Sequence, residues 1–264
     1  MFRNRLATCF ISLFALSFFG PSTLILRAQN NGSALESKQA ETPPALKAYM
    51  GRKIAQTMHY MGAPWLVRET RQRQEDCQLM FENLKLKPDM TVCDMGCGNG
   101  FYTLKMAQAV GPKGKVLAVD IQSEMLRLME LRAAESGLEN IESILGTVAN
   151  PKLPEGKVDL ILCVDVYHEF SHPEQMLRAM RRSLKPDGVI ALLEFRLEDR
   201  DVPIKLLHKM SKKQIMKEFP ANGFKLVRTF DKLPWQHMMF FGRDESWKSD
   251  SDEPQKNASS NHAD

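Results

Sequence analysis

Val92-Cys93-Asp94-Met95-Gly96-Cys97-Gly98-Asn99-Gly100 is the stretch on which the fold turns. Met90 to Asp94 reads as a short strand that runs straight into three alternating glycines. Tyr102 to Val110 then has helical spacing, ended by Gly111-Pro112. Glycines between a strand and a helix tolerate φ > 0 and let backbone approach a ligand closely. The helix start beyond them offers free amides to an anion. Lys115 to Val119 is a second strand, and Asp120 at its end can accept hydrogen bonds from ribose hydroxyls. Each feature alone is weak. In this order they specify a nucleoside-type ligand at the switch point of a parallel sheet.

On either side, strand and helix alternate. Gln72 to Leu84 reads as one helix, and Lys87-Pro88-Asp89 as a turn. Ser123 is placed to cap a helix that Gly137 stops. Ile141 to Leu145 is a third strand. Val158 to Val164 is a nearly continuous apolar run, as in strands buried on both faces. Pro173 opens a helix, Lys185 to Gly188 is a turn, and Val189 to Leu193 is a fifth strand. Met210 to Phe219 is helical, and Phe224 to Arg228 and Met238 to Phe241 are two last strands with no helix between them. The expected fold is α/β: a doubly wound, mostly parallel seven-stranded sheet with a C-terminal antiparallel pair.

The spacing Asp-x-Gly-x-Gly-x-Gly, with Val116 to Asp120 (VLAVD), Val158 to Asp165 (VDLILCVD) and Leu184 to Gly188 (LKPDG), resembles the class I S-adenosylmethionine-dependent methyltransferases and their Rossmann-like fold. The resemblance covers roughly residues 76 to 242. It implies S-adenosylmethionine as cofactor, with Gly96, Gly98 and Gly100 cradling its methionyl part and Asp94 near its ammonium. It implies Asp120 on the ribose, followed by Ile121, and Thr147 beside the adenine where relatives often carry an acid. It places Asp165 beside the reactive methyl. Four motifs speak for the fold and cofactor, and none names the acceptor.

Asp165-Val166-Tyr167-His168-Glu169 gathers two carboxylates, a phenol and an imidazole at the end of the fourth strand. His168 is the candidate base, weighed equally against a histidine that merely orients its loop. Glu194, Arg196 and His208 follow the fifth strand on the same edge, with Glu194 either catalytic or an ordinary strand-end acid. His237 reads as structural. Tyr49 to Arg73 is dense in Tyr, Trp, Met and Arg, and reads either as a lid over the cofactor or as helix packed on the sheet.

The chain has 264 residues and an apolar fraction of 43%, enough for one sizeable domain with tails. The net charge of +4 is concentrated in front: Arg3, Arg5 and Arg27 have no acid among the first 28 residues. The near-neutral remainder carries no electrostatic footprint for nucleic acid, so a small-molecule acceptor is expected. Leu6 to Leu26 holds no charge. Residues 1–28 thus resemble a secretory signal or a membrane anchor, unless Met50 or Met58 is the true start. Residues 29–44 read as a linker, 45–242 as the catalytic domain with 45–75 as its lid, and 243–264 as a disordered polar tail. The five cysteines are scattered, which argues against a disulfide framework or a zinc site, and no metal is expected. Two rivals stand beside the enzyme: a non-catalytic S-adenosylmethionine-binding or membrane-tethered protein of the same fold, and a nicotinamide oxidoreductase, which the glycine spacing disfavours.

Overall fold

The computed structural model describes residues 42–248. Strand Thr91–Met95 (β1) lies at the centre of a sheet, between Lys115–Asp120 (β2) and Val158–Val164 (β4). Ile141–Leu145 (β3), Leu184–Arg196 (β5), Phe224–Phe230 (β6) and Gln236–Arg243 (β7) complete it in the order β3-β2-β1-β4-β5-β7-β6. β7 runs antiparallel to β5 and β6, and the other pairings along this order are parallel. A two-residue strand, Lys209–Met210, adds to the end of β5. The chain moves outward in one direction from β1 and in the other from β4, so the crevice beyond their carboxyl ends is the switch point where such sheets bind ligands.

Side chains alternate across the sheet and fill two layers. Val92, Val116, Leu160, Leu162, Ala191 and Met238 face Cys77–Asn83 (α1) and Thr103–Val110 (α2), with Ser123–Glu135 (α3) seated on Ala118. Cys93, Leu117, Ile161, Ile190, Leu192 and Phe241 face Pro173–Ser183 (α4) and Lys212–Ala221 (α5). Leu177 of α4 and Phe219 of α5 are fully buried there, each contributing about 1.5–3 kcal/mol of burial. α3 is built almost wholly of Leu, Met, Ala, Arg and Glu, residues that lose little rotamer freedom in a helix. No helix among the described residues is long and apolar enough to cross a membrane.

Three local expectations change. The helix read over Gln72 to Leu84 is two pieces, Arg71–Glu75 and α1. Asp76 separates them at φ 48° and caps the second, its carboxylate accepting from the Leu79 amide. A short polar side chain tolerates this left-handed geometry better than most. Ser123 does not cap α3. Its hydroxyl meets Glu124, and the Asp120 carboxylate instead accepts from the Gln122 amide. The Lys185–Gly188 turn is absorbed into β5 as an irregularity: Val158 pairs with Leu184, and Leu160 already pairs with Val189. Beyond β7, Trp247 lies over the Arg181 guanidinium and Asp244 accepts from it, so packing continues past residue 242. Residues 1–41 and 249–264, which hold the apolar N-terminal run and most of the polar tail, lie outside the described residues.

Candidate active site

The glycine loop is held to β2 from beneath. The Gly96 and Cys97 amides both donate to the Val119 carbonyl. Gly98 donates to the Asp120 carboxylate at 3.0 Å, whose other oxygen accepts from Gln122 at 2.9 Å. Burial raises the Asp120 carboxyl, and these amide donors oppose the rise. Gly96, Gly98 and Gly100 all have φ between 54° and 81°, the region that disfavours side chains. Gly96, Gly98, Asp120, Ile121 and Thr147 line one cavity of about 760 Å³ beyond the strand ends. Asp94 and Gly100 do not reach it. Asp94 lies under the loop and accepts from the Thr103 hydroxyl at 2.6 Å, tying β1 to the start of α2. Burial pushes its carboxyl up to about 6. Gly100 faces away, where a Cβ would meet Met129 Cγ at 2.5 Å. The Thr147 hydroxyl is engaged in its own turn, accepting from the Asn150 amide at 2.9 Å.

The other half of the cavity is made of buried side chains. Asp165 follows β4 at φ 51°. Its Oδ2 accepts from Gln236 at 2.7 Å, and its Oδ1 is buried without a partner. Burial, reinforced by Glu75 and Glu194, raises this carboxyl well above the ordinary range. His168 is 2% exposed and lines the cavity. Its Nδ1 lies 2.6 Å from Glu194 Oε2, and its backbone amide donates to Glu194 Oε1 at 3.1 Å. Glu194 is fully buried behind it and does not touch the cavity. The Nε2 of His168 faces His208 Nδ1 at 3.0 Å. Burial pulls the His168 imidazole down, Glu194 outweighs it, and the net shift is upward. Glu169 Oε1 stands 3.9 Å from His168 Nε2, with burial raising its carboxyl to about 7. His237 lies apart, bonded to Glu198 at 2.8 Å.

Of the segment 45–75, residues from Gln56 to Glu75 line this cavity, and those before them are tied to the same strand ends. Arg52 pairs with Glu218 at 2.7 Å and donates to the His168 carbonyl, anchoring a small hairpin of Ala48–Tyr49 and Arg52–Lys53. Met58 donates to Glu169, Tyr60 to Gln122, and Asn99 to Ala63, stitching the segment across the strand ends. Leu66 sits directly on the loop: a Cβ on Gly98 would meet its Cδ1 at 2.5 Å. Arg71 and Glu75 form a buried pair at 2.9 Å on the same wall. Arg71 belongs to the Tyr49 to Arg73 stretch read from the sequence, whereas Glu75 and Gln122 were not singled out. The i,i+4 spacing of Arg71 and Glu75 was the available signal.

The sheet order, glycine loop, strand-end acid and roofed cavity together define the class I S-adenosylmethionine-dependent methyltransferase fold. Residues 86–253 match the methyltransferase domain family, and the chain belongs to it. A nocamycin O-methyltransferase from Saccharothrix syringae is 34% identical over 40% of this chain and 38% of its own length. A ubiquinone/menaquinone biosynthesis C-methyltransferase from Ectopseudomonas mendocina is 32% identical over 42% of this chain and 43% of its own. The chain therefore spans about two fifths of these relatives' length. The crystal structure of a SAM-dependent methyltransferase from Aquifex aeolicus superposes with a TM-score of 0.66 at 26% identity, covering 70% of this chain and 98% of that one. S-adenosylmethionine is the cofactor this family implies, and the residues fit it. Gly96, Gly98 and the Asp120 carboxylate line the cavity beyond the strand ends, and the Asp165 carboxyl at its wall keeps one buried oxygen without a protein partner.

Proposed function

We propose that the protein transfers the methyl group of S-adenosylmethionine to a small-molecule acceptor whose reacting atom carries a proton. The observation that carries this is a single cavity joining the glycine loop and Asp120 to the Glu194-backed His168. When bound, the cofactor supplies a methyl group on a sulfonium, already activated for displacement. The chain's task is then to orient, to exclude water and to handle a proton. Gly96, Gly98 and Asp120 would hold the nucleoside and methionyl parts, with Ile121 and Thr147 flanking the base. Asp165 would receive a donor from the cofactor or the acceptor. Leu66 and Trp65 close the cavity from above, keeping reactants in the geometry from which most of the rate comes. The Glu194–His168 pair would stabilise the positive charge that comes with the acceptor's proton, Glu194 fixing the tautomer and steadying the imidazolium.

The apolar walls contributed by Phe170, Phe195, Pro203 and Ile204 favour a largely apolar acceptor. The charge-free run Leu6 to Leu26 supports an exported or membrane-linked placement of this activity. Calorimetry with S-adenosylhomocysteine tests the cofactor half, and methyl transfer to a panel of phenols, enols and amines tests the acceptor half. Absence of S-adenosylhomocysteine binding would end the proposal.

A further inference from the structure

We propose that His208 Nε2, rather than His168, is the atom that meets the acceptor, and that His168 takes up the hydrogen His208 gives away and holds its charge beside the Glu194 carboxylate. The proposal deepens the methyl-transfer reading and rests on it only for the source of the proton. It follows from counting hydrogens along the chain Glu194, His168, His208.

Glu194 Oε2 lies 2.6 Å from His168 Nδ1, so that nitrogen carries a hydrogen and donates it. In neutral His168 the other nitrogen, Nε2, is then a bare acceptor. It lies 3.0 Å from His208 Nδ1, so the hydrogen between the rings belongs to His208. His208 Nε2 is left bare, and no protein group bonds to it among the described residues. His208 is half-buried and lines the cavity, whereas both His168 nitrogens are occupied and its ring is buried. The free lone pair of the chain is therefore on His208.

The proton balance closes. As the acceptor attacks, its proton goes to His208 Nε2. The hydrogen between the rings shifts from His208 Nδ1 to His168 Nε2. His208 ends neutral with its hydrogen on Nε2, and His168 ends as an imidazolium against the Glu194 carboxylate. The methyl forms its bond to the acceptor, and the thioether leaves with the electron pair. The groups facing the rings agree with charge settling inward. Glu194 and Glu169 favour a charged His168 against Arg52. Burial, His168 and Lys205 disfavour a charged His208, with Glu194 opposing them. Glu169 also touches the pair, but its carboxylate is taken up by the Met58 amide.

Histidine-labelled full-length protein, followed by long-range proton–nitrogen correlation spectra across pH, tests this without any acceptor. Above the pH at which the pair titrates, His208 is expected with hydrogen on Nδ1 and Nε2 bare. Glu194→Gln, whose side chain does not touch His208, should lower the pH at which the pair gains its proton by about 1–3 pH units. If that variant does not fold, His168→Gln should leave His208 to gain the proton on its own ring, still below the ordinary imidazole range because burial and Lys205 oppose its charge. An Nε2–H tautomer of His208 above the titration overturns the proposal. So does a His208 titration unmoved in either variant. One divalent metal ion per chain in the purified protein also overturns it, since His168, Glu169 and His208 would then be ligands. S-adenosylhomocysteine affinity, measured alongside, reports separately on the methyl-transfer reading.

Discussion

The two halves of the cavity are built by opposite means. Under the cofactor half, nine consecutive residues, Val92 to Gly100, present backbone amides and bare glycines, and the side chains Asp94 and Asp120 serve largely to hold that backbone in place. The acceptor half draws side chains from distant segments: Arg52, Asp165, His168, Glu194, His208 and Gln236. The first half is a shape, and the second is a network of buried charges. A shape fails when space is filled. A network fails when one member is removed and its partner is stranded.

Filling space should do the most damage. Gly98→Val puts a branched side chain at φ 54° into the volume held by Leu66. S-adenosylhomocysteine binding should be lost in calorimetry while the thermal unfolding transition remains. Retained affinity would mean that the loop is not the cofactor's seat. Removing a network member should separate the halves: His168→Ala is expected to lower turnover about 10²–10⁴-fold with cofactor affinity nearly unchanged. Equal losses in both quantities would erase the division. Asp120→Ala should weaken cofactor binding by roughly 1.5–3 kcal/mol through lost charge-assisted hydrogen bonds, leaving the acceptor half's own titrations in place.

The network also predicts a pH slope. Burial holds Glu169 at about 7 against an ordinary 4.5, so the folded chain binds this proton more tightly than the unfolded one. Its stabilising effect is full below about 4.5 and is lost as the pH rises to about 7, a matter of about 3 kcal/mol. His168, also raised, has the same sign. Urea unfolding at pH 5 and pH 8 should show this decline, and Glu169→Gln should remove Glu169's share of it. The smallest effect is expected from the far end of the chain. A chain starting at Thr42 should keep its unfolding midpoint and its S-adenosylhomocysteine affinity, and a marked drop in either would make the N-terminal segment part of the fold.

The same contrast explains what the sequence discloses. The cofactor half is contiguous, so its glycines, the strand before them and Asp120 can be read in a line. Strands buried on both faces, such as Val158–Val164, announce themselves as apolar runs. The acceptor half is assembled by tertiary contact. His168 and Glu194 are both visible as polar residues at strand ends, but their 2.6 Å bond, and the 3.0 Å approach of His208 from 40 residues away, depend on the register of β4 against β5. Asp94 and Gly100 show the converse. Both belong to the motif by spacing, yet both work beneath the loop, one anchoring a helix and the other packing on Met129. A one-residue break such as Asp76 is hidden because helical periodicity survives it on either side.

The stitched roof also sets a clock. Among the hydrogen bonds that cross the seam are Met58 to Glu169, Tyr60 to Gln122, Gln122 to the Met58 carbonyl, and Asn99 to the Ala63 carbonyl. Each contributes about 0.5–1.5 kcal/mol against the chain freedom that opening would release. On that footing, traffic through the cavity follows how often this seam parts, and the dwell time of a spent cofactor is a property of Gln122 and Asn99 as much as of the residues that grip it.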